Sequence, residues 1–193
     1  MKRFHFLRHA PTHAKTMVGW TDLSADLSNQ AALDWVANRL PDQAVCISSD
    51  LTRCVTTLDA VIDGQTRLPH RSDIREFHFG AWENRSFADI HQENPDLITE
   101  FWSNPGSVAA PEGETWDGFS NRVTAAVDAM AHQIEADEIV ICAHFGSILT
   151  QLARAGNMTA KQSFSFKIDN LSLTVLTLHD DGTWAIEAVN QTM

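Results

Sequence analysis

Hydrophobic residues in this chain follow two alternating patterns: short continuous runs, and stripes with helical spacing. Continuous apolar runs at residues 4–7, 44–47 and 138–143 predict buried strands. A helical stripe follows the second and the third of these runs. Strands that alternate with helices in this way predict a parallel sheet with helices packed on its two faces.

The helical stripes predict where the helices lie. They cover residues 28–40, 51–63, 86–93, 95–102, 114–135 and 147–155. Ser28 and Asp50 stand at or just before the start of the first two stripes, where a side chain that accepts a hydrogen bond can cap a helix. Residues 71–85 follow neither pattern and are expected to be irregular.

The C-terminal part of the chain changes to a strand pattern. Residues 171–178 and 184–189 alternate between apolar and polar positions, and the Asp180-Asp181-Gly182 segment between them is a strong hairpin signal. We therefore predict an α/β fold, a three-layer αβα sandwich. Its central sheet is expected to be mostly parallel, with an antiparallel hairpin at one edge.

The composition is that of one globular domain. The 193 residues are 44% hydrophobic and 20% charged, and a chain of this length can bury a substantial core. No apolar run approaches the roughly 18 residues of a membrane span, and the N-terminus lacks the basic and apolar regions of a secretory signal. The three cysteines, Cys46, Cys54 and Cys142, show no metal-binding spacing, and their odd number favours a reducing cytoplasm.

The net charge of −11 argues against nucleic acid and against an anionic membrane surface as partners. A small anionic substrate would need a local basic pocket, and the strand ends supply one. Arg8 and His9 follow the first predicted strand, Arg53 lies just beyond the second, and His144 ends the third. Because parallel strands end at one edge, we expect these side chains to meet where α/β sheets bind ligands.

Two arginines and two histidines at one edge suit a phosphate dianion. Arginine forks match phosphate oxygens with two hydrogen bonds each. The helix that begins near Gly146 directs free N–H groups toward the same place. A neutral imidazole can attack phosphorus while the guanidinium groups neutralise charge in the transition state.

These residues also resemble a known family. Arg8-His9-Ala10 is similar to the Arg-His-Gly signature of the histidine phosphatase superfamily, which includes the cofactor-dependent phosphoglycerate mutases. The resemblance continues in order along nearly the whole chain, so it implies a single domain over residues 1–193. The other matching segments are 19–28, 48–57, 76–83, 111–123 and 143–146.

The resemblance implies a role for each strand-end residue. His9 is expected to be the nucleophile that forms a phosphohistidine, and Arg8, Arg53 and His144 are expected to bind the phosphoryl group. Glu76 is expected to protonate the leaving oxygen and then to deprotonate the attacking water. Neither a metal nor another cofactor is expected, because fixed cations take that place.

The resemblance places further residues around the substrate: Thr12, Gly19, Glu83 and Phe145. Glu83, seven residues beyond Glu76, is the alternative proton donor, and the order of Glu→Gln effects on the chemical step would decide between the two.

Three functions remain open at this point. The first is hydrolysis of a small phosphorylated metabolite, as in the branch of small phosphatases that includes alpha-ribazole phosphatase. The second is a mutase, but Phe77 and Phe87 stand where the mutases carry basic residues that hold a substrate carboxylate. The third is a non-catalytic phosphate-binding protein, which four departures from the family pattern suggest: Ala10, Pro11, Lys15 and Phe145. A monomer or a homodimer is expected.

Overall fold

The computed structural model describes residues 1–193, and its centre is a six-stranded sheet with the order β3-β2-β4-β1-β5-β6. The first four strands in that order are parallel, whereas β5 is antiparallel to β1 and β6 is antiparallel to β5. This confirms the predicted sheet with its hairpin edge. The strands are β1 (Lys2–Arg8), β2 (Val45–Ser48), β3 (Thr66–Arg67), β4 (Glu138–Ala143), β5 (Leu173–Leu178) and β6 (Trp184–Gln191).

Seven helices surround the sheet. They are α1 (Gln30–Ala37), α2 (Thr52–Val61), α3 (Phe87–Glu93), α4 (Pro95–Ser103), α5 (Trp116–Gln133), α6 (Phe145–Ala155) and α7 (Ala160–Ser163). Two 3-10 turns lie in the segment that was expected to be irregular, at Ser72–Ile74 and Gly80–Trp82. None of the helices combines the length and the apolar character that crossing a membrane requires.

The sheet separates two hydrophobic layers, because successive side chains of a strand point to opposite faces. Phe4 and Phe6 of β1 belong to the larger cluster, which includes residues of α5 and α6. Leu7 belongs to the smaller cluster, which includes residues of α1 and α2. The β4 strand is buried on both sides in the same way, which explains its continuous apolar run.

Both predicted helix caps are wrong. The α1 cap is Asn29, whose side chain accepts from the Ala32 amide at 3.2 Å, so Ser28 lies outside the helix. The Asp50 carboxylate is instead paired with Arg75 at 2.7 and 2.6 Å. The start of α2 takes its acceptor from another segment of the chain: the carboxylate of Asp22 binds the amide and the hydroxyl of Thr52.

The strand register brings the predicted reactive segments to one edge. Arg8 at the end of β1 is level with Ala143 at the end of β4, and Ser48 at the end of β2 is level with Cys142. The α6 helix begins directly beyond β4, at Phe145. The sequence prediction that three strand ends meet at one sheet edge is therefore confirmed.

Candidate active site

His9 lies one residue beyond β1, with its ring almost fully enclosed at 7% exposure. Its Nδ1–H donates to the Ala10 carbonyl at 2.7 Å, which leaves Nε2 as the unprotonated nitrogen of the neutral ring. Burial lowers the pKa of His9 to about 3, and the charges of Arg53 and Arg8 act in the same direction against the Ala10 hydrogen bond. The ring is therefore neutral at physiological pH, with one free lone pair.

His144 follows β4 and is completely buried. Its ring centroid lies 5.2 Å from that of His9, with an angle of 64° between the rings. Burial, followed by the charge of Arg53 and the proximity of His9, holds the pKa of His144 well below its usual value. Because Arg53 Nε donates to His144 Nδ1 at 3.2 Å, the proton of the neutral ring is on Nε2.

Arg53 is held in place by three hydrogen bonds. Besides the bond to His144, its guanidinium donates to the carbonyl oxygens of Thr21 at 2.8 Å and Gly19 at 2.6 Å. A guanidinium has five N–H donors, so two remain for a ligand. The three bonds hold the buried guanidinium in one orientation, and such preorganised donors favour binding of an anion.

Arg8 forms the other cationic wall. Its guanidinium donates to the Ile168 carbonyl and stands 5.4 Å from the centre of the Phe145 ring, while its buried Nε has no partner within the protein. Burial lowers the pKa of Arg8, against the opposing charges of Glu76 and Asp169. A phosphate dianion bound beside Arg8 would give this buried guanidinium a negatively charged hydrogen-bond partner.

Glu76 borders the same space and is 9% exposed. Its carboxylate accepts from the amides of Phe77 and Gly146, both at 3.0 Å. The backbone carbonyl of Glu76 in turn accepts from Trp20 Nε1 at 2.8 Å and from Arg122 at 3.2 Å. These contacts hold the Glu76 carboxylate against the first turn of α6, next to the amide of Gly146.

A side chain at Gly146 would displace the carboxylate of Glu76, because a Cβ at this position would lie 2.5 Å from Glu76 Oε1 and 3.1 Å from the Phe119 ring. The amide of Phe145, the first residue of α6, is one of the N–H groups that a helix start leaves without an internal acceptor.

The Glu83 carboxylate accepts hydrogen bonds from residues 19–21, in the loop that follows the Arg8-His9-Ala10 signature. It accepts from the amides of Gly19, Trp20, Thr21 and Phe79 and from the Thr21 hydroxyl, at 2.6–3.2 Å. Burial raises the pKa of Glu83, but the Thr21 hydroxyl and the loop amides outweigh it and hold the pKa below the usual value. Glu83 therefore orients the same loop whose carbonyl groups hold Arg53.

The other residues singled out from the sequence have fewer contacts with the two histidines and two arginines. Gly19 contacts the site through its backbone carbonyl, and Phe145 lines an apolar pocket beside Glu76. Thr12 is half-buried and its side chain makes no hydrogen bond within the protein. Lys15 is exposed, and Phe87 is 50% exposed on α3, away from the pocket.

Three contacts were not identified from the sequence. The Asn170 side chain donates to the His9 carbonyl at 2.7 Å, and Thr57 Oγ1 accepts from the Ala10 amide at 2.9 Å. The Cys54 thiol lies 3.4 Å from His144 Nε2. Asn170 precedes β5 at a distance of 161 residues from His9 along the chain, so only the tertiary fold could reveal its role.

Taken together, the site contains two neutral imidazoles, two fixed guanidinium groups and one carboxylate at the rim. It can bind a phosphoryl dianion next to a free imidazole nitrogen. The carboxylate can exchange a proton with an oxygen on the phosphorus.

Comparison with known proteins identifies relatives that include a bifunctional protein and a phosphatase. The bifunctional protein Rv2228c of Mycobacterium tuberculosis is 28% identical over 184 residues, which are 91% of this chain and 46% of that protein. The chain therefore spans about half the length of this relative. The adenosylcobalamin/alpha-ribazole phosphatase of Escherichia coli (strain K12) is 27% identical over 152 residues, which are 78% of this chain and 68% of that protein.

Among solved structures, the phosphoserine phosphatase of Entamoeba histolytica in complex with 3-phosphoglyceric acid superposes with a TM-score of 0.86. The superposition covers 100% of this chain and 98% of the phosphoserine phosphatase chain, at 19% sequence identity. A likeness at this identity establishes the fold.

The family comparison covers almost the entire sequence. The histidine phosphatase superfamily (branch 1) matches residues 4–192, a range that includes both histidines and both arginines of the site. The resemblance inferred from the sequence motifs is thereby confirmed, and the chain belongs to the histidine phosphatase superfamily, branch 1.

Proposed function

We propose that this protein is a phosphomonoester hydrolase that acts through a phosphohistidine on His9. The observation that carries the proposal is the state of the His9 ring. Its Nδ1 is committed to Ala10, its Nε2 is free, and its pKa of about 3 keeps it neutral between two guanidinium groups. A neutral, oriented imidazole beside fixed positive charge is what attack on a phosphoryl group needs.

In the first step, His9 Nε2 attacks the phosphorus of the bound ester. The P–N bond forms as the P–O bond to the alcohol breaks, and Glu76 supplies the proton that the leaving oxygen takes up. Arg8, Arg53 and the Nε2–H of His144 bind the non-bridging oxygens, whose charge they neutralise in the transition state.

In the second step, water replaces the alcohol beside Glu76. The carboxylate takes a proton from the water as its oxygen attacks phosphorus, the P–N bond breaks, and the electron pair returns to His9 Nε2. The products are inorganic phosphate, the neutral His9 ring and a protonated Glu76 ready for the next cycle.

Two observations favour hydrolysis over a mutase reaction, whose substrate carries a carboxylate beside the phosphoryl group. The side chain of Phe77 is packed among Phe79, Phe101 and Phe119, so the residue after Glu76 offers no cation for a substrate carboxylate. In addition, the Escherichia coli relative is named as a phosphatase and not as a mutase. We therefore rank the mutase function second. We rank the non-catalytic function third, because two neutral imidazoles, two guanidinium groups and a carboxylate all lie near the same sheet edge.

The substrate class and surroundings follow from the same reasoning. We propose a small phosphorylated metabolite as substrate, one catalytic domain over residues 1–193, and a cytoplasmic location, the last on the three free cysteines. A monomer or a homodimer would leave this site unchanged, since all its residues come from one chain. The charge of −11 remains the argument against nucleic acid or a membrane surface as partner.

The test is turnover combined with trapping of the phosphoenzyme. We expect the wild-type protein to hydrolyse a chromogenic phosphomonoester and to acquire an acid-labile, alkali-stable phosphoryl label. His9→Ala should lose both, whereas His132→Ala, at an exposed position on α5, should keep both. A fully active His9→Ala protein would refute the mechanism. Isomerisation of 3-phosphoglycerate in the presence of its bisphosphorylated primer would favour the mutase.

A further inference from the structure

An apolar pocket opens directly beside the Glu76 carboxylate. Its volume is about 60 Å³, several times the roughly 10–15 Å³ that one water molecule needs on this measure. Glu76 and Gly146 form the end next to the phosphoryl site. The other lining residues come from distant parts of the chain: Phe77, Phe79, Phe101, Trp102, Pro105, Val108, Trp116, Phe145 and Phe164.

Aromatic rings make up most of the wall and support one another. Phe77 and Phe79 are 5.1 Å apart between ring centroids, and Trp116 and Phe164 are 4.7 Å apart with their planes at 76°. Trp102 reaches across between Phe79 and Phe164, 6.4 and 6.3 Å from their centroids. It is 41% exposed, so it forms the rim through which a ligand would enter.

The charge of the pocket is as distinctive as its shape. Glu76 is the only ionisable residue among those that line it, and no lysine, arginine or histidine does. Arg8 stands 5.4 Å from the Phe145 ring but does not line the pocket. An anionic group placed here would lose its hydration next to a carboxylate, without a cation to replace the water.

From this juxtaposition we infer that the pocket receives the alcohol part of the substrate, and that this part is uncharged and apolar, with a single ring or a short carbon chain. The inference rests on the proposed function, because it assigns the leaving group of that reaction. The oxygen that Glu76 protonates must lie at the carboxylate end of the pocket. The carbon skeleton attached to that oxygen then continues between the aromatic walls.

The preference follows from the balance of two interactions. Apolar carbon gains by leaving water against these rings. A carboxylate on the same skeleton would be stripped of water without a hydrogen-bond donor to compensate, and a site that cannot pair a buried polar group discriminates strongly. Hydrophobic leaving groups are therefore favoured, mainly through KM.

The experiment compares three monoesters of primary alcohols: benzyl phosphate, phosphoserine and 3-phosphoglycerate. We expect kcat/KM for benzyl phosphate to exceed that for either of the other two by at least about 10-fold. The electron-withdrawing substituents of serine and glycerate make their alkoxides the better leaving groups, so intrinsic reactivity acts against the expected order.

Two exposed aromatic residues provide matched variants. Trp102→Ala removes the rim of the pocket and should reduce the preference for benzyl phosphate over phosphoserine by roughly 5-fold or more. Phe87→Ala removes an aromatic side chain of similar exposure that does not line the pocket, and it should leave the ratio unchanged. Thermal unfolding of both variants separates a specificity effect from misfolding.

Each outcome bears on one of the two proposals. Hydrolysis in which an anionic ester equals or exceeds benzyl phosphate overturns the pocket assignment and leaves the phosphohistidine mechanism intact. A folded Trp102→Ala protein that keeps the preference for benzyl phosphate unchanged also overturns the pocket assignment and leaves the mechanism intact. Absence of turnover with all three esters, and of a labelled His9, overturns the proposed function and with it the assignment.

Discussion

Replacing Glu76 and Glu83 separately by glutamine distinguishes a proton donor from a residue that orders a loop. The amides of Phe77 and Gly146 contact different oxygens of Glu76, so Glu76→Gln keeps an acceptor for one of them, and it cannot release a proton to the leaving oxygen. General acid catalysis typically contributes about 10²- to 10⁴-fold, so we expect kcat for benzyl phosphate to fall within that range. The binding of inorganic phosphate should change little.

Glu83→Gln should act on stability instead. Each carboxylate oxygen of Glu83 accepts two backbone amides, those of Gly19 and Thr21 on one oxygen and those of Trp20 and Phe79 on the other. An NH₂ group in either position leaves two donors unpaired, at about 1–2 kcal/mol each for a half-buried site. The expected loss of about 2–4 kcal/mol corresponds to a decrease in Tm of roughly 4–16 °C.

The two variants can be compared in one assay with two leaving groups. The p-nitrophenolate ion leaves without a proton, so Glu76→Gln should lose much less activity with p-nitrophenyl phosphate than with benzyl phosphate. Glu83→Gln should lose similar activity with both esters, mainly through KM, because Arg53 loses its support. If Glu83→Gln shows the larger and leaving-group-dependent decrease in kcat, Glu83 is the proton donor and the assignment is wrong.

Three further outcomes can be measured. Turnover should be unaffected by EDTA, because Arg8 and Arg53 neutralise the phosphoryl oxygens; EDTA-sensitive turnover would contradict this. Gly146→Ala should lower kcat by about 10²-fold by displacing Glu76, whereas Gly106→Ala, whose nearest Cβ contact is 3.8 Å, should match the wild type. Between pH 6.5 and about 3 only the unfolded chain is protonated at His9, so stability decreases as pH falls through this window. From pH 7 to pH 5 both His9 and His144 reduce the stability of the wild type, and His9→Asn should lose about 2 kcal/mol less than the wild type in urea unfolding; equal losses in both proteins would refute the neutral buried ring of His9.

The sheet edge could be predicted from the sequence because its signals are local. The apolar runs before Arg8 and His144 are short, strongly hydrophobic and bounded by polar residues, and parallel strands bring their carboxyl ends together whatever the details of packing. The hairpin at Asp180-Asp181-Gly182 has a turn signal of the same local kind. These features fix the fold class and the position of the reactive side chains.

What could not be predicted depends on partners far away in the sequence. Asp50 has the chemistry of a helix cap, but Arg75 is a stronger partner for its carboxylate. Glu83 is an ordinary loop glutamate until the fold presents the amides of residues 19–21 to it. The walls of the apolar pocket come from five separate segments of the chain, and no periodicity connects them.

The net charge of the chain and its affinity for a dianion are reconciled by burial. A charge of −11 is spread over a surface where salt screens interactions beyond about 8 Å. Arg8 and Arg53, by contrast, lie within the protein, where their field is screened much less. The same field acts on the neighbouring imidazoles, since both arginines lower the pKa of His9 and of His144. A field that disfavours a proton on an imidazole favours a phosphoryl dianion in the same place, so one arrangement of charge would both keep the proposed nucleophile His9 unprotonated and attract the proposed substrate.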